Sequence, residues 1–295
     1  MRFAIRYLTE YRYEGMVTDN LNALRVRPAT TPHQRCDEFQ ARVDPEARVS
    51  RHLDYYGTEV LEFGVYQPHE RLSIEISTRA ATSAASPAPE GPWQALGSQA
   101  YASAAGEFAL PWHDQPELPG LAGLHDDLRA DTPRGTLERL CTLIPERFEY
   151  RPGATYVGSD VGDLLEAGAG VCQDFAHLSL VLLRRHGIAA RYVSGYLWVA
   201  PSDEGTDSLE VDTHAWVEAL LPPEAEDQEP IWVGADPTNG GLAGEEHVKI
   251  GHGRFYADVL PVKGLYRGPS GSRLEATVAM SRLGAPGAAS GSGTP

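Results

Sequence analysis

Cys172 is the first residue of this 295-residue sequence whose type and setting suit covalent chemistry. It follows Gly168-Ala169-Gly170 and precedes a predicted helix. Because glycines let the backbone turn tightly, we expect Cys172 in the first helical turn. There the free N–H groups and the helix dipole stabilise an anion such as a thiolate, and the same N–H groups can hold the oxyanion of a tetrahedral intermediate. The segment therefore predicts a cysteine nucleophile.

Two downstream segments supply the other groups that a thiolate nucleophile needs, a base and a residue that orients it. His214 lies on a predicted strand whose alternation places His214, Trp216 and Glu218 on one face. Asp236 ends the next predicted strand, Ile231 to Ala235, in an Asp-Pro turn. Nucleophile, imidazole and carboxylate thus follow one another in chain order, which is a suitable set for proton transfer.

Each of these three residues also has a structural interpretation. A cysteine inside a helix is usually a small buried hydrophobic residue, a strand histidine can be a core residue, and an Asp before proline commonly forms a turn. Those interpretations leave the joint order and setting of the three residues unexplained. A zinc site made of the same side chains is less favoured, because a helix start stabilises a thiolate without a metal.

Three further residues are candidates for supporting roles. The backbone N–H of Gln173 is expected to join that of Cys172 in an oxyanion hole. Tyr156, in the loop before the nucleophile helix, could donate its hydroxyl to an oxyanion, although a packed tyrosine is an equal interpretation. Trp216 shares a strand face with His214, where it could shield the imidazole and carboxylate from water or be ordinary core.

Hydrophobic patterning divides the chain into two regions that must position these residues. Residues 1–79 alternate between apolar and charged side chains and contain several turn residues, which predicts a β-sandwich-like domain. An Ala/Ser/Pro-rich stretch, 80–92, is predicted to be a linker. From residue 93 helical and strand patterns mix, so the predicted fold class is α+β. The predicted domains are 1–92 and 93–283, and the Gly/Ala/Ser/Pro-rich tail, 284–295, is predicted to be disordered.

Helix signals in the second region define the elements around the nucleophile. Thr136 is a predicted cap for one helix, and Val161 to Ala167 is predicted as a short helix. The nucleophile helix is predicted from Cys172 to His186, with Gly187 at its C′ position. Strands are predicted at Ala190 to Val199, Thr213 to Leu221 and Ile231 to Ala235.

Composition restricts the class of protein. Twenty-five Lys and Arg face 41 Asp and Glu, a net charge of −16, which argues against binding to nucleic acid or anionic membranes. Three scattered cysteines do not form a disulfide framework. The start, Met1 to Leu8, lacks the apolar run of a signal peptide, and no stretch is apolar enough to span a bilayer. We therefore expect a cytoplasmic protein, whose oligomeric state the sequence leaves open.

Three quoted segments resemble the core motifs of the transglutaminase-like superfamily: Gly170–Ala176 (GVCQDFA), Thr213–Glu218 (THAWVE) and Trp232–Thr238 (WVGADPT). The resemblance is to bacterial members with an N-terminal β region, and it extends to Gly251–Val259 (GHGRFYADV). It implies a papain-like α+β catalytic domain. It also implies that Cys172 is the nucleophile, His214 the general base and then acid, and Asp236 the residue that orients His214.

The resemblance implies acyl transfer from amides. We expect a cysteine-dependent protease or amidase that acts on peptide or glutamine-type amide bonds through a thioester, with a peptide or protein as substrate. A protein-glutamine transglutaminase that forms isopeptide bonds is the alternative, and a non-catalytic peptide-binding module is an alternative of another class. Some relatives need calcium, but no calcium-loop pattern is present in the sequence, so we expect no cofactor and no metal.

Overall fold

The structure is a computed structural model that describes residues 1–111, 118, 120–156, 158–200, 208–211, 213–269 and 271–284. The predicted tail, 284–295, lies outside the described residues apart from Gly284. The helices are α1 (Gln99–Ala105), α2 (Leu121–Leu128), α3 (Pro133–Arg147), α4 (Val161–Ala167) and α5 (Cys172–Arg185). The strands are β1 (Arg2–Leu24), β2 (Gln34–Asp44), β3 (Ser50–Leu53), β4 (Glu59–Val65), β5 (His69–Thr82), β6 (Glu149–Tyr150), β7 (Ala169–Gly170), β8 (Ala190–Leu197), β9 (Ser208–Val211), β10 (Thr213–Leu221), β11 (Ile231–Asp236), β12 (Gly241–Leu242), β13 (His247–Gly253), β14 (Val262–Arg267) and β15 (Ser272–Arg282).

The long strand β1 organises the N-terminal sheet region. Its first half pairs with β5 and β15, and its second half pairs with β4 and β14. The register with β5 shifts between Arg12 and Val17, where β1 passes from one half of the sheet to the other. Phe3 and Ile5 point into a core that also receives Leu61 from β4, as the alternation of the sequence predicts.

The two C-terminal strands complete this same sheet. β15 pairs with β1 from Phe3↔Arg282 to Tyr13↔Ser272, and β14 pairs with the second half of β1. By sequence position both strands fall in the predicted catalytic domain, 93–283, but their hydrogen bonds join them to the N-terminal region. The N-terminal sheet is therefore assembled from both ends of the chain.

The middle of the chain forms a five-stranded antiparallel sheet in the order β12-β11-β10-β8-β13. Helices α2 to α5 contribute to one core with this sheet, whose largest helical contribution comes from the apolar residues of α5. The bounds predicted for α4 and β10 agree with the structure, and Gly187 has the positive φ of a C′ residue (φ 78°). None of the described helices is long and apolar enough to cross a membrane.

The predicted cap of α3 is wrong. Helix α3 begins at Pro133, and the N–H of Gly135 donates to Thr132 Oγ1 at 3.0 Å. Thr136 lies inside the helix, where its hydroxyl accepts from the N–H of Ala130 at 3.0 Å. Proline is favourable at the first helical position, so the helix starts one turn earlier than the apolar spacing alone indicates.

Polar side chains join the two regions in buried surroundings. Gln34, at the start of β2, donates to the carbonyls of Ala29 and Lys249, both at 2.7 Å, and accepts from the N–H of Lys249 at 2.8 Å. The hydroxyl of Tyr196, on β8, donates to the carbonyl of Val26 at 2.9 Å. These bonds fix β8 and β13 against the N-terminal sheet.

Candidate active site

Helix α5 begins at Cys172, which is partly buried at the edge of the helical core. Asp174, in the first turn, accepts from the N–H of Val171 at 2.8 Å and from Thr155 Oγ1 at 2.6 Å. A Cβ at Gly170 would come within 2.8 Å of Asp174 Oδ2, so this glycine allows the carboxylate to fold back onto the helix start. The position of Cys172 is thus fixed by its neighbours on both sides.

Strands β10 and β11 bring the predicted imidazole and carboxylate together. Val217 pairs with Ala235, which sets Asp236 beside the N-terminal half of β10. His214 Nε2 lies 2.8 Å from Asp236 Oδ2, and Cys172 lies close enough to His214 for its charge to act on the imidazole. Since Nε2 is bonded to the carboxylate, Nδ1 is the ring nitrogen left for the thiol. The structure therefore unites the three predicted residues.

The two carboxylate oxygens of Asp236 have different partners. Oδ1 accepts from the N–H groups of Thr238 at 2.9 Å and Asn239 at 3.2 Å, which closes the turn after β11. Oδ2 accepts from Asn239 Nδ2 at 2.7 Å in addition to its bond with His214. The carboxyl group is 1 % exposed. Asp236 therefore forms the predicted turn and holds the imidazole at the same time.

A second histidine, His247 at the start of β13, also bonds Asp236. Its Nε2 lies 3.0 Å from Asp236 Oδ2, and its Nδ1 accepts from the N–H of Gly244 at 3.1 Å. Because Nδ1 is an acceptor, Nε2 carries the proton and donates to the carboxylate. His247 was not among the residues predicted from the sequence. The signal that could have found it is its position just before Gly251–Val259, a segment that resembles the family.

His214, Asp236 and His247 also bring one donor atom each within 4.8 Å of one another, a spacing that suits a metal ion. A metal bound at His247 Nε2 would need a lone pair on that nitrogen, with the proton moved to Nδ1. That proton would then face the N–H of Gly244. The residues as arranged therefore suit a hydrogen-bonded carboxylate better than a metal centre.

The electrostatics of the site favour an ion pair. Burial lowers the pKa of His214, but the hydrogen bond that His214 donates to Asp236 and the nearby charge of Cys172 outweigh this and raise it to about 9. Burial raises the pKa of Asp236, yet its bonds with His214, His247 and Asn239 hold it well below the ordinary value. A protonated imidazole between a carboxylate and a sulfur is thus the favoured state at neutral pH.

The three predicted supporting residues have different settings. Trp216 is buried, with its ring 6.0 Å from that of His214 and 5.2 Å from that of His247. The N–H of Gln173 lies in the first turn of α5, where no earlier carbonyl of the helix is available to it. The Tyr156 side chain is 71 % exposed, and no bond joins it to Cys172 within the described part of the chain.

Tyr256 is a tyrosine on which the charge of Cys172 acts. Burial, and then the charge of Cys172, raises the pKa of Tyr256, and its N–H donates to His177 Nε2 at 3.4 Å. Tyr256 follows β13 in the segment Gly251–Val259. This segment therefore borders the cleft through a residue that sequence reasoning did not assign.

The other two cysteines lack such surroundings. Cys141 is 2 % exposed on the apolar face of α3, and burial raises the pKa of its thiol to about 12. Cys36 lies on β2, with its sulfur 3.3 Å from Thr78 Oγ1. All three cysteines are unpaired.

Comparison with known proteins identifies the families and relatives that this chain resembles. Residues 3–81 match the family model of the bacterial transglutaminase-like N-terminal region, and residues 123–237 match that of the transglutaminase-like superfamily. An uncharacterized protein of Mycobacterium leprae is 32% identical over 284 residues, which cover 96% of this chain and 99% of that protein. A protein-glutamine gamma-glutamyltransferase of Pseudomonas aeruginosa is 31% identical over 138 residues, 44% of this chain and 19% of that protein.

A solved structure has the same fold. The crystal structure of a candidate cysteine protease from Cytophaga hutchinsonii aligns with a TM-score of 0.69 and 18% identity, and the alignment covers 95% of this chain and 97% of that one. The predicted α+β class, with an N-terminal sheet region and a papain-like core, is confirmed. On its family matches and its full-length relative, the chain belongs to the transglutaminase-like superfamily, with a bacterial transglutaminase-like N-terminal region.

Proposed function

We propose that this protein is a cysteine-dependent acyl-transfer enzyme that acts on peptide or glutamine-type amide bonds. The observation that supports the proposal is the juxtaposition of Cys172 with His214, which in turn bonds Asp236 Oδ2 at 2.8 Å. A nucleophile, a base and an orienting carboxylate are the groups that this chemistry needs.

The proposed reaction has two halves. The Cys172 sulfur attacks the amide carbonyl, and the N–H groups of Cys172 and Gln173 bind the oxyanion. Protonated His214 then gives its proton to the leaving amine, the C–N bond breaks and a thioester remains. In the second half His214 removes a proton from water, the oxygen attacks the thioester and the C–S bond breaks. The carboxylic acid leaves, the proton stays on His214, and the sulfur returns to its starting state.

Transamidation is the second candidate, since one relative is a protein-glutamine gamma-glutamyltransferase. A primary amine would then replace water in the second half-reaction. A glutamine peptide offered with and without a primary amine separates the two: ammonia release without amine incorporation supports the hydrolase, and dominant incorporation supports the transglutaminase.

Selective alkylation separates either enzyme from a non-catalytic binding module. At about pH 6, iodoacetamide is expected to label Cys172 faster than it labels free cysteine, because the His214 imidazole and the N–H groups at the start of α5 surround its sulfur. A Cys172→Ser variant should lose both the label and the activity. Labelling of Cys36 first, or of Cys172 only after unfolding, contradicts the proposal.

The substrate class, the cellular location and the absence of a metal requirement are also proposals. We infer a peptide or protein substrate that is not strongly anionic, since the net charge of −16 repels like charge. Three unpaired thiols are compatible with the reducing cytoplasm. No metal enters the proposed steps, so full activity is expected in a strong chelator, and loss of activity would require a metal at the site.

A further inference from the structure

A cavity that Cys172 does not line lies where the five-stranded sheet meets the N-terminal region. Its volume is about 530 Å³, within the usual range for small-molecule sites. We call it the Lys249 pocket; the argument uses its lining residues Arg191, Glu218, Trp216, Trp232, Lys249 and Ser86. Neither Cys172 nor His214 lines it.

The Lys249 pocket holds an unbalanced positive charge. Glu218 Oε2 accepts from Arg191 Nε and from Lys249 Nζ, both at 2.6 Å. The three side chains are only 12 to 15 % exposed, and Glu218 is the only acid among the described lining residues. Two cations therefore share one carboxylate in a setting where charge needs a partner.

The neighbouring histidine does not change this balance. Arg191 Nη1 lies 3.1 Å from His252 Nε2. Burial lowers the pKa of His252 to about 3, so the ring is neutral and accepts from the guanidinium. Burial likewise lowers the pKa of Lys249 to about 8, against the attraction of Glu218. An anion in the pocket would offset the free-energy cost of burying the charges of Arg191 and Lys249.

Unused donors and apolar walls define the kind of anion. The indole N–H groups of Trp216 and Trp232 have no hydrogen-bond partner within the described part of the chain, and the Arg191 guanidinium stacks 4.1 Å from the Trp232 ring. Apolar residues, among them Ile231 and Val233, line the same cavity. A cavity lined by both cationic donors and apolar residues suits a carboxylate on an apolar body.

We propose that the Lys249 pocket binds a small organic carboxylate with an apolar body. The carboxylate would accept from Lys249, Arg191 and an indole N–H, and the body would lie on Trp232. The N-terminal region supplies part of the wall through residues such as Ser86, which gives that region a role in ligand binding. This proposal does not depend on acyl transfer at Cys172.

Calorimetric titration of the full chain with phenylacetate tests the proposal. We expect saturable binding at one site, and binding of phenethyl alcohol, which lacks the charge, weaker by roughly tenfold or more. Inorganic phosphate should also bind more weakly, because it lacks the apolar body. No binding of phenylacetate, or equal binding of the acid and the alcohol, overturns the proposal; phosphate binding as tight as phenylacetate overturns the assignment of an organic ligand.

The chain has two lysines, which provide a matched pair of variants. Lys249→Met should weaken phenylacetate binding by roughly tenfold or more, whereas Lys263→Met, on exposed β14, should not. Should Lys249→Met unfold, the exposed mouth residue Ser86 replaces it in the test: Ser86→Asp should weaken binding and Ser86→Lys should strengthen it. Wild-type affinity in Lys249→Met, or in both Ser86 variants, overturns the proposal.

Discussion

Asp236 serves two purposes through its two oxygens, one in the turn after β11 and one between two imidazoles. His214 and His247 approach Oδ2 at 2.8 and 3.0 Å. The sequence predicted that His214 is a partner of Asp236, because the strand motif of His214 precedes the Asp-Pro motif along the chain. It did not predict the second partner, because the bond depends on the turn at Gly244 that sets the tautomer of His247.

The pKa of His214 links Asp236 to stability. That pKa is raised from 6.5 to about 9, so the stabilisation is complete below pH 6.5 and is lost as the pH rises through about 9. The Asp236→Asn substitution removes the carboxylate charge that helps to raise the pKa of His214. The free energy of unfolding in urea should therefore fall more between these two pH values for the wild type than for Asp236→Asn.

An exposed acid provides the control for that experiment. Asp163→Asn, on the surface of α4, should follow the wild-type pH dependence. A difference between wild type and Asp236→Asn that stays constant across the interval would contradict the raised pKa.

His247 is expected to act as a positioning residue. Its Nε2–H donates to a buried carboxylate, and a hydrogen bond to a charged group contributes about 1.5–3 kcal/mol. His247→Ala should slow alkylation of Cys172, and turnover of a glutamine peptide, by roughly tenfold or more. His247→Gln can still donate a hydrogen bond to Asp236. It should therefore recover part of the alkylation and turnover rates at each pH of the profile. Exposed His52→Ala is the control, and a wild-type rate in His247→Ala refutes the role.

At the scale of the element, the start of α5 decides where the nucleophile lies. Local signals predicted it well, since Gly168-Ala169-Gly170 and the apolar spacing both lie within one short segment. The cap of α3 was misplaced because Thr132 and Thr136 are both suitable residues and the choice depended on Pro133.

Asp174 of α5 and Asp163 of α4 both lie three residues after the N-cap of their helix. Comparing variants of the two separates a role in the active site from ordinary helix capping. Asp174 in α5 is buried with two partners, whereas Asp163 caps α4 in solvent. Asp174→Ala should lower the free energy of unfolding by about 1–3 kcal/mol and slow alkylation of Cys172 as well. Asp163→Ala should cost about 1 kcal/mol or less and leave the alkylation rate unchanged. Equal effects of the two variants would argue against a special role for Asp174.

At the scale of the whole molecule, strands from the two ends of the chain pair in one sheet, which the sequence does not indicate. Alternation predicted strands near both ends of the chain, but pairing between β1 and β15 leaves no local pattern, so the division at residues 92 and 93 could not anticipate it. The same holds for Gln34, two of whose three bonds connect β2 with β13 across 215 residues.

Gln34→Ala tests whether the two regions unfold together. Loss of its three buried bonds should lower the free energy of unfolding by about 2–3 kcal/mol, while exposed Gln40→Ala on β2 should have little effect. The ring of Trp198 lies 6.1 Å from that of Phe3 on β1, whereas Trp216 and Trp232 lie on β10 and β11, so tryptophan fluorescence reports on both regions. Coincident fluorescence and circular-dichroism transitions are expected; separate transitions would mean independent domains.

The place of β1 between β5 and β15 has a consequence for biosynthesis. β1 is translated long before β14 and β15, and its hydrogen-bonding edge has no partner strand on that side until they emerge. Such an edge readily pairs with other chains. The nascent polypeptide should therefore depend on chaperone protection while still on the ribosome, and slower elongation should increase its aggregation.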